Sequence, residues 1–168
     1  MTMTSDDLLV YLADNNIEAI THEHPPVHTV EESRQLRGNI AGVHTKNLFL
    51  RDNKKTYFLV VANEAATVNL KELRHKIGAR GALSFGTPEM LLELLGVTAG
   101  AISLLALVND PEHKIILAID ESLMTAEVVN CHPLNNCRTT SLSAEGILGF
   151  LSSTGHQPLR ISLDAEEG

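Results

Sequence analysis

Two short apolar runs, Asn47-Leu48-Phe49-Leu50 and Thr56-Tyr57-Phe58-Leu59-Val60-Val61, flank the polar tetrad Asp52-Asn53-Lys54-Lys55. Runs of this length, joined by turn-forming residues, read as the two arms of a β-hairpin. A lone hairpin is marginal in water, so its apolar faces need further strands or helices. The flanking sequence offers both. Thr4 or Ser5 can cap a first helix with Asp6 and Asp7 in its positive first turn, an apolar stripe of Leu8, Leu9, Leu12 and Ala13, and an end at Asn15-Asn16. Alternation over residues 17–23 suggests a short strand, and Pro25-Pro26 breaks the chain. The capping box Thr29-Val30-Glu31-Glu32 predicts a short helix to about Arg37, and Gly38 and Gly42 bracket a turn.

Beyond the hairpin, Asn69 should cap a helix carrying Leu70, Leu73 and Ile77. Thr87-Pro88-Glu89 opens another, with proline at its first position, and Gly96 ends it. Residues 102–108 and 114–119 are predicted as paired strands around the turn Asn109-Asp110-Pro111-Glu112, with a further strand over 127–131. Ser143 caps a helix through Phe150 and Leu151 that Gly155 stops, residues 158–163 make a last strand, and residues 164–168 should fray. Hairpins mixed with helical crossovers predict the α+β class. The expectation is a single domain over residues 1–168, with a mixed, mostly antiparallel sheet surrounded by helices.

Composition adds limits. Trp is absent and aromatics are 4%, so the core must be aliphatic. The N-terminus lacks the basic start and apolar stretch of a signal peptide. The longest charge-free apolar stretch, residues 96–108, falls short of the about 20 residues of a membrane helix, so no membrane partner is expected. Two cysteines, Cys131 and Cys137, are too few for a disulfide scaffold, and a reduced, cytoplasmic setting follows as the default. The net charge of −8 argues against a general DNA or RNA binder. Its distribution is uneven: residues 31–80 hold ten of the 13 Lys and Arg but five of the 21 acids. This can be a basic patch on an acidic body, or ordinary scatter.

No Gly-rich phosphate loop, nucleophile elbow or Cys-x-x-Cys pair is present. Three constellations can carry chemistry. In His44-Thr45-Lys46-Asn47, a lysine at a strand mouth can meet a phosphate or an oxyanion, or simply be solvated. In Gly96-Val97-Thr98-Ala99-Gly100-Ala101-Ile102-Ser103, backbone amides can approach a ligand closely, or the segment is an ordinary connection. In Cys131-His132-Pro133-Leu134-Asn135-Asn136-Cys137, His132 can hold a water or act as acid or base. The Cys/His spacing matches no common zinc pattern, and His22, His24 and His28 read as surface histidines before they read as ligands. No metal or cofactor is expected.

Together these segments resemble the YbaK/prolyl-tRNA synthetase editing-domain superfamily. The resemblance runs through Glu23-His24-Pro25-Pro26-Val27, His44-Thr45-Lys46-Asn47-Leu48-Phe49-Leu50, Leu83-Ser84-Phe85-Gly86-Thr87-Pro88-Glu89-Met90, Leu95-Gly96-Val97-Thr98, Ala106-Leu107-Val108-Asn109-Asp110, and His132-Pro133-Leu134-Asn135-Asn136 through Thr139-Thr140, in the family's order. It is nearest to the freestanding alanyl-tRNA(Pro) deacylases called ProX or PrdX. The resemblance implies the fold above and hydrolysis of alanine wrongly attached to tRNA(Pro), with prolyl-tRNA synthetase as a possible partner. It implies Lys46, Gly100 and His132 as catalytic positions, and Thr45, Asn47, Ala101, Ile102, Ser103 and Leu104 as substrate-binding ones. Lys71, Arg74, Lys76 and Arg80, on or after one helix, can meet the tRNA acceptor stem or form a solvated face. The chain departs from the family in one loop. Many relatives carry Gly-x-x-x-Pro there, where this chain has Leu104, and Ala99 stands where a proline often precedes the glycine. Cysteinyl-tRNA(Pro) is therefore an alternative substrate. A non-catalytic tRNA- or synthetase-binding protein and a small metalloprotein are alternatives of other classes.

Overall fold

The computed structural model describes residues 2–26, 35 and 40–165. The chain runs α1 (Ser5–Asp14), β1 (Ile20–Glu23), β2 (Val43–Arg51), β3 (Tyr57–Asn63), β4 (Ala66–Thr67), α2 (Leu70–Lys76), β5 (Ser84–Phe85) and α3 (Pro88–Leu95). Two 3₁₀ turns follow, Ala99–Ala101 and Leu104–Asn109. Then come β6 (Ile115–Asp120), a third 3₁₀ turn (Glu121–Met124), β7 (Val129–Cys131), β8 (Arg138–Leu142), α4 (Ala144–Thr154), β9 (Leu159–Ile161) and β10 (Asp164–Ala165). The helix expected from Thr29 to about Arg37 lies outside the described residues, Gln35 excepted.

Eight strands form one mixed sheet in the order β1-β8-β7-β2-β3-β6-β9, with β5 also paired to β2. Its antiparallel pairs are β1·β8, β7·β8, β2·β3 and β2·β5. The parallel pairs are β2·β7, β3·β6 and β6·β9. The α+β architecture and the helices around the sheet are as expected. The central hairpin is longer than its apolar runs: Thr45 pairs with Asn63 and Arg51 with Tyr57. Asp52 closes its turn by accepting from the backbone N–H of Lys54 and Thr56, each at 2.9 Å.

Helix starts follow their capping residues. The Thr4 hydroxyl accepts from Asp7 N–H while the Asp7 carboxylate accepts from Thr4 N–H. Asn69, Thr87 and Ser143 cap α2, α3 and α4 through their side-chain oxygens. Gly96 ends α3 at φ +68, left-handed backbone that disfavours side chains with a Cβ.

Strand alternation sends side chains to two cores. Phe49, Leu59, Val61, Ile115, Leu117, Ile119, Val129, Cys131 and Leu142 join the larger one with α1, α3, α4 and the 3₁₀ turns. Leu50, Phe58, Val60, Ala118 and Ile161 join the smaller one with Leu73 and Ile77, from α2 and its end. Among the described residues no helix is long and apolar enough to cross a membrane.

Several expectations are corrected. Residues 102–108 are not a strand paired to β6. They contain the turn Leu104–Asn109, and β6 instead runs parallel to β3 and β9. Leu104, Leu105, Ala106 and Leu107 are each fully buried, so no solvent face breaks the apolar run into a readable period. Strand β8 has no counterpart among the expected strands, because Arg138-Thr139-Thr140-Ser141 looks polar. Thr139 and Thr140 are nonetheless buried, with Thr140 hydrogen-bonded to Thr21 at 2.8 Å. The strand expected over 17–23 narrows to Ile20–Glu23, since Ile17 N–H still bonds to Leu12 O. At the C-terminus, Asp164 and Ala165 do not fray but pair with Thr67 and Ala66 of β4.

Candidate active site

Lys46 on β2 and His132 just past β7 each lie two residues beyond the β2·β7 ladder. That ladder pairs Val43 with Val129 and His44 with Asn130. Lys46 lies on the sheet face of Leu48 and Leu50, the face that α2 covers, and its register partner on β3 is Ala62. It is half-buried, and its ammonium donates to the Ala66 carbonyl of β4.

β7 ends at Cys131, and Pro133, with no N–H, cannot continue the ladder past His132. The imidazole is oriented from β8: Nδ1 lies 2.8 Å from the Arg138 carbonyl and must donate to it. In the neutral ring this tautomer leaves Nε2 as an acceptor. Burial lowers the pKa of His132 against the opposing bond to Arg138, and the charges of His24 and His44 lower it further. The ring is therefore kept neutral at ordinary pH. The His24 ring lies 6.4 Å away between centroids, held by Thr139 Oγ1 and Pro25 O, each at 2.8 Å. His44 is held through Nε2 to Ile40 O at 3.1 Å.

Thr45 and Asn47 project to the opposite sheet face from Lys46, by strand alternation. Thr45 Oγ1 donates to Asn130 O at 3.0 Å. Asn47 Oδ1 is buried and has no hydrogen-bond partner, an acceptor left open in the protein alone. Neighbouring Cys131 is wholly buried, which pushes its thiol up to about 12 against the opposing effect of the Thr45 side chain. A thiol so protonated is no nucleophile.

The loop expected to hold substrate turns beside this segment. A Cβ placed on Gly100 would meet Asn136 Nδ2 at 3.3 Å. Ala101 N–H is engaged by Thr98 O at 3.0 Å. Ala101, Ser103 and Leu104 are buried, Leu104 in the larger core, so Ile102 is the loop side chain between Ala101 and Leu104 that reaches the surface. Among the basic residues, Lys71, Lys76 and Arg80 are exposed and Arg74 is half-buried. Lys76 Nζ donates to Ser162 O at 2.6 Å, and Arg74 Nε to His75 Nε2 at 3.4 Å. Sequence reasoning places His24 and Thr139 within the family's motifs but gives them no role at the site, and passes over Asn130. Their signal is the spacing of polar residues on strands whose neighbours are apolar. Among the described residues no three His, Cys, Asp or Glu side chains are grouped to hold a metal ion.

Comparison with known proteins gives a consistent result. The profile of the aminoacyl-tRNA editing domain matches residues 24–150. The prolyl-tRNA synthetase associated domain-containing protein 1 of Danio rerio is 36% identical over 160 residues, covering 94% of this chain and 86% of that protein. The prolyl-tRNA editing protein ProX of Acetoanaerobium sticklandii is 35% identical over 135 residues, covering 80% and 82%. A crystal structure described provisionally as a trans-editing enzyme for prolyl tRNA synthetase shares the fold over all of both chains, with a TM-score of 0.70 at 20% identity.

Proposed function

Because the chain belongs to the aminoacyl-tRNA editing domain family, we propose that it is a freestanding deacylase that hydrolyses alanine from mischarged tRNA(Pro). The observation that carries the reading is His132, its ring fixed through Nδ1 on the Arg138 carbonyl just past the strand that pairs with the strand of Lys46, with its Nε2 unclaimed by that bond. The substrate is an ester of an amino acid with a ribose hydroxyl. Its hydrolysis needs a held water, a place for the oxyanion and positioning, and no covalent nucleophile.

In the proposed cycle Lys46 leaves the Ala66 carbonyl for the terminal phosphate or the reacting carbonyl oxygen. Water attacks the ester carbon and its proton passes to His132 Nε2, with the neighbouring 2′-hydroxyl of the tRNA assisting. The tetrahedral intermediate collapses, the bond to the ribose oxygen breaks, and that oxygen takes the proton back. The loop around Gly100 holds the aminoacyl group. Proline is excluded by size. A synthetase pocket shaped for proline gains little against alanine, since each missing methylene is worth about 1–3 kcal/mol. The basic residues of α2 and Arg80 receive the acceptor stem.

The test is single-turnover deacylation of alanyl-tRNA(Pro), with cysteinyl-tRNA(Pro) and Lys46→Ala in parallel. Rapid alanine release that falls on the order of 100-fold in the variant supports both substrate and lysine. Near wild-type rates in Lys46→Ala would sink the lysine's role. Preference for the cysteinyl ester would move the substrate to cysteine, with Ala99 and Leu104 as the first positions to exchange. Binding of either tRNA without hydrolysis would make the chain a binding protein.

A further inference from the structure

Ser103 is completely buried, yet it is polar. Its hydroxyl uses its hydrogen-bonding capacity on two segments at once. It donates to the His132 carbonyl at 2.5 Å and accepts from Leu105 N–H at 3.2 Å. The backbone of Ser103 is extended, at φ −159 and ψ 169, between the turns Ala99–Ala101 and Leu104–Asn109. The acceptor it satisfies needs a partner, because β7 ends at Cys131 and Pro133 stops any continuation of the ladder. Past Pro133 the backbone is irregular, with Leu134 at φ +65, a conformation that a non-glycine residue holds only when its surroundings enforce it. His132 is thus tied at two points: its carbonyl to the loop through Ser103, and its ring to β8 through the Arg138 carbonyl.

We propose that Ser103 is the positioning residue of this site, the hydroxyl that couples the substrate loop of residues 99–104 to His132 without touching substrate. This rests on the deacylase reading for its catalytic consequence but not for its structural one. Removing the hydroxyl leaves the His132 carbonyl unpaired, and the segment moves to find water. The ring then loses part of the enclosure that keeps it neutral. The titratable groups facing it are His24 at the end of β1 and His44 on β2, and both stay in place.

The experiment compares Ser103→Ala, Ser103→Cys and Ser103→Thr with wild type. Its readouts are kcat, KM, thermal unfolding, and the His132 titration followed by NMR. In Ser103→Ala, kcat is expected to fall on the order of 10- to 100-fold, as for a small misplacement of a catalytic group. KM stays within about twofold, and the His132 pKa rises toward its ordinary value. Ser103→Thr keeps the donor and restores both. Ser103→Cys keeps the size with a weak donor and does not. Should Ser103→Thr fail to fold, the alanine and cysteine variants still decide. A Ser103→Ala protein with wild-type kcat and an unmoved His132 titration overturns the proposal. So does a loss of activity that only tracks loss of folded protein. The titration needs no substrate. A wild-type protein that cleaves no aminoacyl ester, but whose His132 shifts in Ser103→Ala, would reject the deacylase reading and leave the coupling standing.

Discussion

Replacing Asp110 by alanine is expected to destabilise the protein by about 3–5 kcal/mol, because it leaves three donors without their acceptor and each buried one costs about 1–3 kcal/mol. The side chain is 3% exposed and both its oxygens are in use. Oδ1 accepts from Lys114 N–H at 2.9 Å. Oδ2 accepts from Ile115 N–H at 2.9 Å and from His156 Nε2 at 3.0 Å. Each bond to a charged acceptor is worth about 1.5–3 kcal/mol, but they share one carboxylate and do not add. The alanine variant strands the buried Ile115 amide at the start of β6 and leaves His156, also 3% exposed, facing an apolar methyl. Domains commonly hold about 5–15 kcal/mol in total, so the loss is a large fraction of it. Urea unfolding at neutral pH measures it. With a slope of about 2 kcal/mol per molar, the midpoint should drop by about 1.5–2.5 M. Asp110→Asn keeps one acceptor and should lose about half as much. A double-mutant cycle with His156→Ala should show coupling of about 1–3 kcal/mol. A loss below about 1 kcal/mol in Asp110→Ala would refute the reasoning, and would return Asp110 to consideration as a functional rather than an architectural residue.

Three further outcomes follow from the site. Burial depresses the His132 pKa, so the unfolded chain binds the extra proton first. Its share of stability is whole above 6.5 and is lost as pH falls from there through the folded pKa. The deacylation rate should follow the same limb, rising as His132 loses its proton, and His132→Gln should flatten both curves. A wild-type rate with no acid limb would count against a neutral imidazole in the reaction. Cys131, its thiol pushed up to about 12, should resist iodoacetamide at pH 8 in the folded protein while half-buried Cys137 reacts; labelling read by mass spectrometry checks this, and prompt labelling of Cys131 would refute its enclosure. Removing the charges of Lys71 and Arg74 should weaken tRNA binding and flatten its dependence on log salt by about 0.9 for each duplex phosphate no longer neutralised; an unchanged slope would reduce the patch to a solvated helix face.

The hairpin of β2 and β3, the caps at Thr4, Asn69, Thr87 and Ser143, and the stops at Gly96 and Gly155 were legible in the chain. Each depends on residues within a few positions of one another, where backbone sterics and local hydrogen bonds decide. The order of motifs from His24 to Thr140 was legible too, and with it the family. The turn at Leu104–Asn109 and strand β8 were not. An apolar run buried on every side has no period to reveal its conformation, and a Thr-rich strand looks exposed until neighbouring strands satisfy its hydroxyls. Lys46, Ser103 and His132 could be named one by one as candidates. That the strand of Lys46 pairs in parallel with the strand that leads into His132, that Ser103 spends its hydroxyl on the His132 carbonyl, and that burial lowers the imidazole's pKa were decided only by the tertiary structure. These relations join residues about 30 to 90 positions apart, and the sheet register and the burial that create them arise only when the whole chain packs.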